Sequence, residues 1–161
     1  MLLDIVVFVV ILVVLILSHE WGHLVVAKRA GVKVEEFGFG FPPRLWSVKK
    51  GETIYSINAI PLGGFVRIHG ENGEDRSNPR SFIAQSKFTR AKILLAGVGM
   101  NLLLAVVLLS IVALLQGPWY SFFYEGITQT FEFLFLIIQG LALAIGQLFS
   151  GGEISGDVLG P

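Results

Sequence analysis

Three apolar runs, each long enough to cross a lipid bilayer, constrain this chain more than any other feature. Hydrocarbon about 30 Å thick takes roughly 20 helical residues to cross. The first run covers about 2–27 and closes at Lys28 and Arg29. The second covers about 93–115, with Asn101 and Ser110 inside it. The third covers about 130–149, with Glu132 near one end and Gln139 and Gln147 within. A 161-residue soluble chain has no core thick enough to hide three such runs. The expected fold class is membrane α-helical, with a single membrane-embedded domain over 1–161. The first run is not read as a cleaved leader. It lacks a basic start, Asp4 stands where a lysine is expected, and no small-residue cleavage site follows.

Net charge is zero, so nothing in the total asks for a nucleic-acid partner, and none is expected. The distribution of charge says more. All 12 Lys and Arg lie between Lys28 and Lys92, and segment 116–129 has none. Short basic loops stay on the cytoplasmic side. The expected topology is therefore N-terminus outside, 28–92 inside, 116–129 outside and the tail inside. Cysteine is absent, which excludes disulfides and thiolate metal sites.

The segment at about 31–70, between the first two runs, reads as a β-hairpin with re-entrant parts. Val32–Phe37 and Thr53–Ile57 have strand composition, and Lys50-Gly51-Glu52 suits the turn. Phe37–Pro43 and Ile60–Val66 are apolar and glycine-rich for a cytoplasmic loop. Such stretches can dip into the membrane where protein or water satisfies their backbone groups. Glu71–Arg80 is polar and reads as an exposed loop.

Chemistry enters at His19-Glu20-Trp21-Gly22-His23, near the end of the first run. Two histidines four residues apart share one face of a helix, so both imidazoles can hold one Zn²⁺. Glu20 is rotated from His19 by roughly 100°. It can take a proton from a metal-activated water without being a ligand. Gly22 allows a neighbouring helix to pack closely. Ionisable residues inside a membrane run are costly and functional by default, and three fall within five positions here. A catalytic zinc needs a third protein ligand. His69, Glu132, Glu153 and Asp157 are the remaining candidates considered, and none has the spacing or the placement for it.

The motif and the blocks that follow it resemble the site-2 protease family of intramembrane zinc metalloproteases, closest to the bacterial regulator of sigma-E protease type. The blocks are Ser18–His23, Val34–Phe41, Thr53–Val66 and Leu95–Asn101, in this order. The resemblance implies that His19 and His23 bind zinc and that Glu20 is the catalytic base. It implies β-hairpins beside the substrate, with Gly63, Gly64 and Phe65 as substrate-binding residues and Asn101 near the active site. Val98 stands where proline is usual. A bacterial inner-membrane location and a transmembrane-helix substrate follow from the same resemblance. Two departures stand out. No PDZ domain fits between the second and third runs, and the family's later Leu-Asp-Gly ligand motif is absent. The chain is expected to be a truncated or engineered core. The expected function is hydrolysis of a peptide bond in a substrate's transmembrane helix. The alternative is an incomplete fragment that binds metal or a substrate helix without cutting. Metal transport would need ligands on several spans, where this chain offers mainly amides. The strand Thr53–Ile57 and the segment Pro61–Val66 are the expected edges for pairing with an unwound substrate.

Overall fold

A computed structural model of the chain describes residues 1–118 and 120–150. Glu153, Asp157 and the side chain of Gln147 lie outside the described residues. The element order is helix α1 (Leu2–Arg29), strand β1 (Val34–Lys50), strand β2 (Thr53–Ile68), helix α2 (Lys87–Gln116) and helix α3 (Phe122–Ser150). All three helices are long and apolar enough to cross a membrane. The chain is a membrane protein with a paired-strand segment between its first two helices. Each helix extends past its apolar run. α3 in particular begins at Phe122 rather than near 130, because no proline lies within it and the helical pattern runs through Phe122–Ile127 despite Gly126. By its packing the chain divides into two compact units, Met1–Leu104 and a second beginning at Ala105.

The first unit is built around the sheet. β1 and β2 pair antiparallel, and Gly51 with a φ of +65° makes the turn between them. The register has a second layer. Gly38 lies opposite Phe65 on one side and opposite Ser56 on the other, and Phe39 likewise has Gly64 and Ile57. Glu36–Phe39 match Ile54–Ile57 with residue numbers rising together, so those stretches run in the same direction. The two long strands therefore fold into four segments side by side, in the order 44–50, 53–58, 36–41, 64–68. β1 bends at Gly40, whose φ is +77°. A Cβ there would lie 2.7 Å from the Ile60 carbonyl oxygen, so both backbone angle and space demand glycine.

This arrangement corrects one expectation. Thr53–Ile57 is not an edge. Ile54 is paired with both Lys49 and Glu36, and Tyr55 with both Val48 and Phe37. The glycine-rich stretches Phe37–Pro43 and Ile60–Val66 lie wholly within the two paired strands. The edges are 44–50 and 64–68.

A carboxylate holds the segments together. Glu36 is 2% exposed, and it accepts hydrogen bonds from Arg44 at 2.6 Å and Ser56 at 2.7 Å. Arg67 pairs with its other oxygen at 3.4 Å. Arg67 thus ties the 64–68 edge to the segment beside it. Glu36 is buried while both guanidinium groups reach solvent, so the arginines offset the desolvation of the carboxylate from the surface side. An apolar core lies at the α1 end of the unit, where Leu24, Ala27, Val32, Val34, Ile68, Phe82 and Ile93 pack together. His69 stands outside that core. Its Nδ1 and Nε2 bond to Glu35 at 2.8 Å and Asp75 at 2.9 Å. Carboxylates only accept, so both ring nitrogens donate and the ring is an imidazolium. The hydrogen bonds to Asp75 and Glu35 raise its pKa above the ordinary histidine value. A ring committed in this way has no lone pair for a metal. α2 starts on Ser86, whose hydroxyl accepts from the Thr89 N–H at 3.1 Å as an N-cap.

In the second unit, Gly126 of α3 meets Ser110 of α2. A Cβ on Gly126 would overlap the Ser110 hydroxyl. Small residues at a membrane helix crossing let the backbones approach.

Candidate metal centre

α1 sets the two histidines on one face, and their rings lie 4.8 Å apart between centroids, edge to face. α2 then fixes which nitrogens are free. The Nδ1 of His23 is 2.7 Å from the carbonyl oxygen of Ile93. A carbonyl cannot donate, so Nδ1 carries the proton and Nε2 keeps its lone pair. This is the backing hydrogen bond that orients metal-binding histidines.

Gly97 shows where the free nitrogens point. A Cβ placed on it would lie 2.5 Å from His19 Nε2 and 2.5 Å from His23 Nε2. Both Nε2 atoms therefore converge on one small region beside the α2 backbone. The donor set, two neutral imidazoles with no thiolate, suits zinc and other borderline divalent ions. Among the described residues no group of three His, Cys, Asp or Glu side chains is arranged to hold a metal by itself. The residues present fit two positions of a zinc site.

Gly22 makes the close approach possible from the α1 side. A Cβ there would collide with the Ala96 carbonyl oxygen and sit 2.9 Å from Met100 Cβ. Glu20 lies beside His23, and both line a cavity of about 170 Å³ together with Val66, Ile68, Glu71 and Ile93. That cavity joins the metal-facing edge to the 64–68 edge of the sheet. Gly64 closes the join, because a Cβ on it would lie 3.2 Å from Glu20 Cγ and 3.1 Å from Ile16 Cγ2.

The other sequence-derived site residues are placed differently. Gly63 is buried against the Phe41 ring, 2.8 Å from Cε2 to an added Cβ. The Phe65 ring lies back across Gly38 and over the sheet. Asn101 is one helical turn beyond Gly97, and its buried Oδ1 has no hydrogen-bond partner. The structure gathers His19, Glu20, His23 and Gly64, and leaves Gly63 and Phe65 in sheet packing. From sequence, Gly97 is placed only within the Leu95–Asn101 block, and no site role falls to the Ile93 carbonyl or Glu71. A backbone carbonyl has no sequence signal. Gly97 did have one, as a glycine inside a membrane run four places from an asparagine.

A helix-borne histidine pair, a carboxylate in an adjoining cavity and a sheet edge alongside define a membrane metal-site protein of the peptidase type. The model of peptidase family M50 matches residues 7–161, and the chain belongs to that family. It is 40% identical over 117 residues to the zinc metalloprotease Rip1 of Mycobacterium tuberculosis, covering 70% of this chain and 29% of that protein. It is 51% identical over 70 residues to the zinc metalloprotease RasP of Oceanobacillus iheyensis, covering 44% and 16%. RasP of Geobacillus kaustophilus is 52% identical over 67 residues, covering 42% and 16%. The chain spans less than a third of the length of the curated relatives it matches.

Proposed function

We propose that this chain carries two zinc ligands and the general base of an intramembrane metalloprotease that cuts a peptide bond within a substrate's transmembrane helix. The observation that carries the reading is the convergence of His19 and His23 Nε2 beside Gly97, with the Glu20 carboxylate in the neighbouring cavity. Bound zinc would polarise the scissile carbonyl and acidify a water. His19 and His23 hold the metal, and the Ile93 carbonyl keeps His23 in the ligating tautomer. Glu20 takes the water's proton and can return it to the leaving amine. Asn101 offers an amide for a substrate carbonyl. The alternative, a chain that binds metal or a substrate helix without cutting, is favoured by one observation. The described residues supply two histidines but no complete ligand set.

A helical substrate hides its scissile carbonyl in its own hydrogen bonds, so it must unwind first. Its freed backbone groups then need partners in a low-dielectric setting. The 64–68 edge is paired on one side only and runs past Glu20, so it is the surface for strand addition. The test is a proline scan from Gly64 to Ile68 in a full-length family protein carrying this segment. Proline removes one donor at a time. Positions whose N–H faces β1 should unfold the hairpin. The alternating positions should lose cleavage by tenfold or more while folding and metal content hold. Full cleavage with proline at every outward position would rule out strand addition.

The topology proposed is N-terminus outside and 28–92 on the cytoplasmic side of the bacterial inner membrane, from the basic residues. Exposed apolar side chains on the sheet, among them Leu45 at 69% and Leu62 at 76%, support contact between that segment and lipid. With no native cysteine, labelling is clean. A Cys at Ser77 should resist an impermeant outside reagent and one at Ser121 should react; the reverse pattern would invert the orientation.

A further inference from the structure

A second cavity, of about 280 Å³, lies between α1 and the sheet and is lined by Leu17, Phe37, Phe39, Trp46, Tyr55 and Ile57. It does not belong to the metal centre. At 100° per residue, Leu17, Trp21 and Lys28 fall within about 40° of one another on α1. They lie on the side of the helix away from His19 and His23. Trp21 meets the Phe37 ring edge-on at 5.9 Å, so this stripe is the one that faces the groove.

Both walls change from apolar to cationic in the same direction. On α1 the order is Leu17, Trp21, Lys28. On the sheet, Trp46, Val48 and Lys50 share a face by strand alternation, and Val48 is paired with Tyr55. Lys28 joins the walls at the cationic end. Its ammonium donates to the Tyr55 hydroxyl at 3.3 Å and lies 5.6 Å from the ring centroid. An ammonium has three donors, so two remain for an anion. Arg29 and Lys49 are exposed nearby in sequence, and the carboxylate of Glu52 is engaged by Arg80. From Lys28 to Leu17 is about 16 Å along the helix, roughly half the hydrocarbon thickness of a bilayer.

We propose that this groove is a binding site for an anionic phospholipid, with one acyl chain along Leu17, Phe37 and Ile57 and the phosphate at Lys28 and the Tyr55 hydroxyl. An apolar peptide helix would use the apolar wall but not the cationic end. A free phosphate would use the cationic end but not the wall. The lipid uses both.

Trp21 and Trp46 border the groove, so bromine on an acyl chain reports its entry. The 161-residue chain, with Trp119→Phe to leave these two reporters, is reconstituted in phosphatidylcholine vesicles. Brominated phosphatidylglycerol is titrated against brominated phosphatidylcholine. One cation near the headgroup favours anionic lipid by about fivefold. The expected result is at least that preference for brominated phosphatidylglycerol. It should fall toward unity in Lys28→Gln, persist in Lys28→Arg and weaken in high salt. Equal quenching by the two lipids would overturn the site. So would a preference untouched by Lys28→Gln, and so would absence of quenching, which would mean that protein covers the groove. Lys28 is exposed, and retained preference in Lys28→Arg excludes a loss of fold as the cause of the Gln result.

Discussion

In a full-length family protein carrying this segment, alanine at His23 is expected to strip tight zinc binding, and glutamine at Glu20 is expected to leave it intact. The two side chains sit three residues apart on α1 and border the same cavity, but they have different roles there. His23 presents a bare Nε2 beside Gly97, fixed by the Ile93 carbonyl. Glu20 lies in the adjoining cavity, placed to move a proton. Metal content after gel filtration separates the roles. His19→Ala and His23→Ala should each lose stoichiometric zinc. Glu20→Gln should retain it and, in a full-length family protein, lose about 10²–10⁴-fold in cleavage rate, the usual range for a general base. Unchanged zinc in His23→Ala would sink the ligand assignment, and full activity in Glu20→Gln would sink the base.

A single methyl group at Gly97 should be nearly as damaging. In an exposed helix interior, glycine to alanine gains about 1 kcal/mol from propensity. At Gly97 that gain is opposed by a Cβ 2.5 Å from the Nε2 atoms of both His19 and His23, a separation that real Cβ atoms essentially never show. Either the rings rotate away or α2 moves out, and both disperse the ligands. Gly99 provides the control, because a Cβ there meets nothing within 4 Å. Gly97→Ala should lose zinc affinity by at least an order of magnitude, whereas Gly99→Ala should bind as the parent does and melt at the same temperature or higher. Equal zinc binding by both variants would show that α2 does not press on the metal-facing edge.

Which parts of this were legible in the sequence follows from range. The three spans are local, since apolar length alone specifies them, and so is the i, i+4 histidine pair. Gly51 announced the hairpin turn because a positive φ there needs glycine. The order of sheet segments is not local. Nothing within Thr53–Ile57 says that Glu36–Phe39 will occupy its second side, and so from sequence an interior segment looks like an edge. Glu36 reads as a solvated charge until Arg44, Ser56 and Arg67 are brought round it by the bend at Gly40. From sequence only its spacing sets His69 apart from the metal, and the two carboxylates that engage its ring come from β1 and from the following loop.

The contact between Gly22 and the Ala96 carbonyl bears on how the motif is spelled. Metal chemistry specifies His19, Glu20 and His23 and is indifferent to the two letters between Glu20 and His23. In this protein the second of those letters is fixed by a neighbour's backbone. Any larger residue at position 22 would lever α2 away, carrying Gly97 and the Ile93 carbonyl with it. The working alphabet is therefore His-Glu-any-Gly-His, and Trp21, turned toward the sheet, is the position open to substitution without touching His19 or His23.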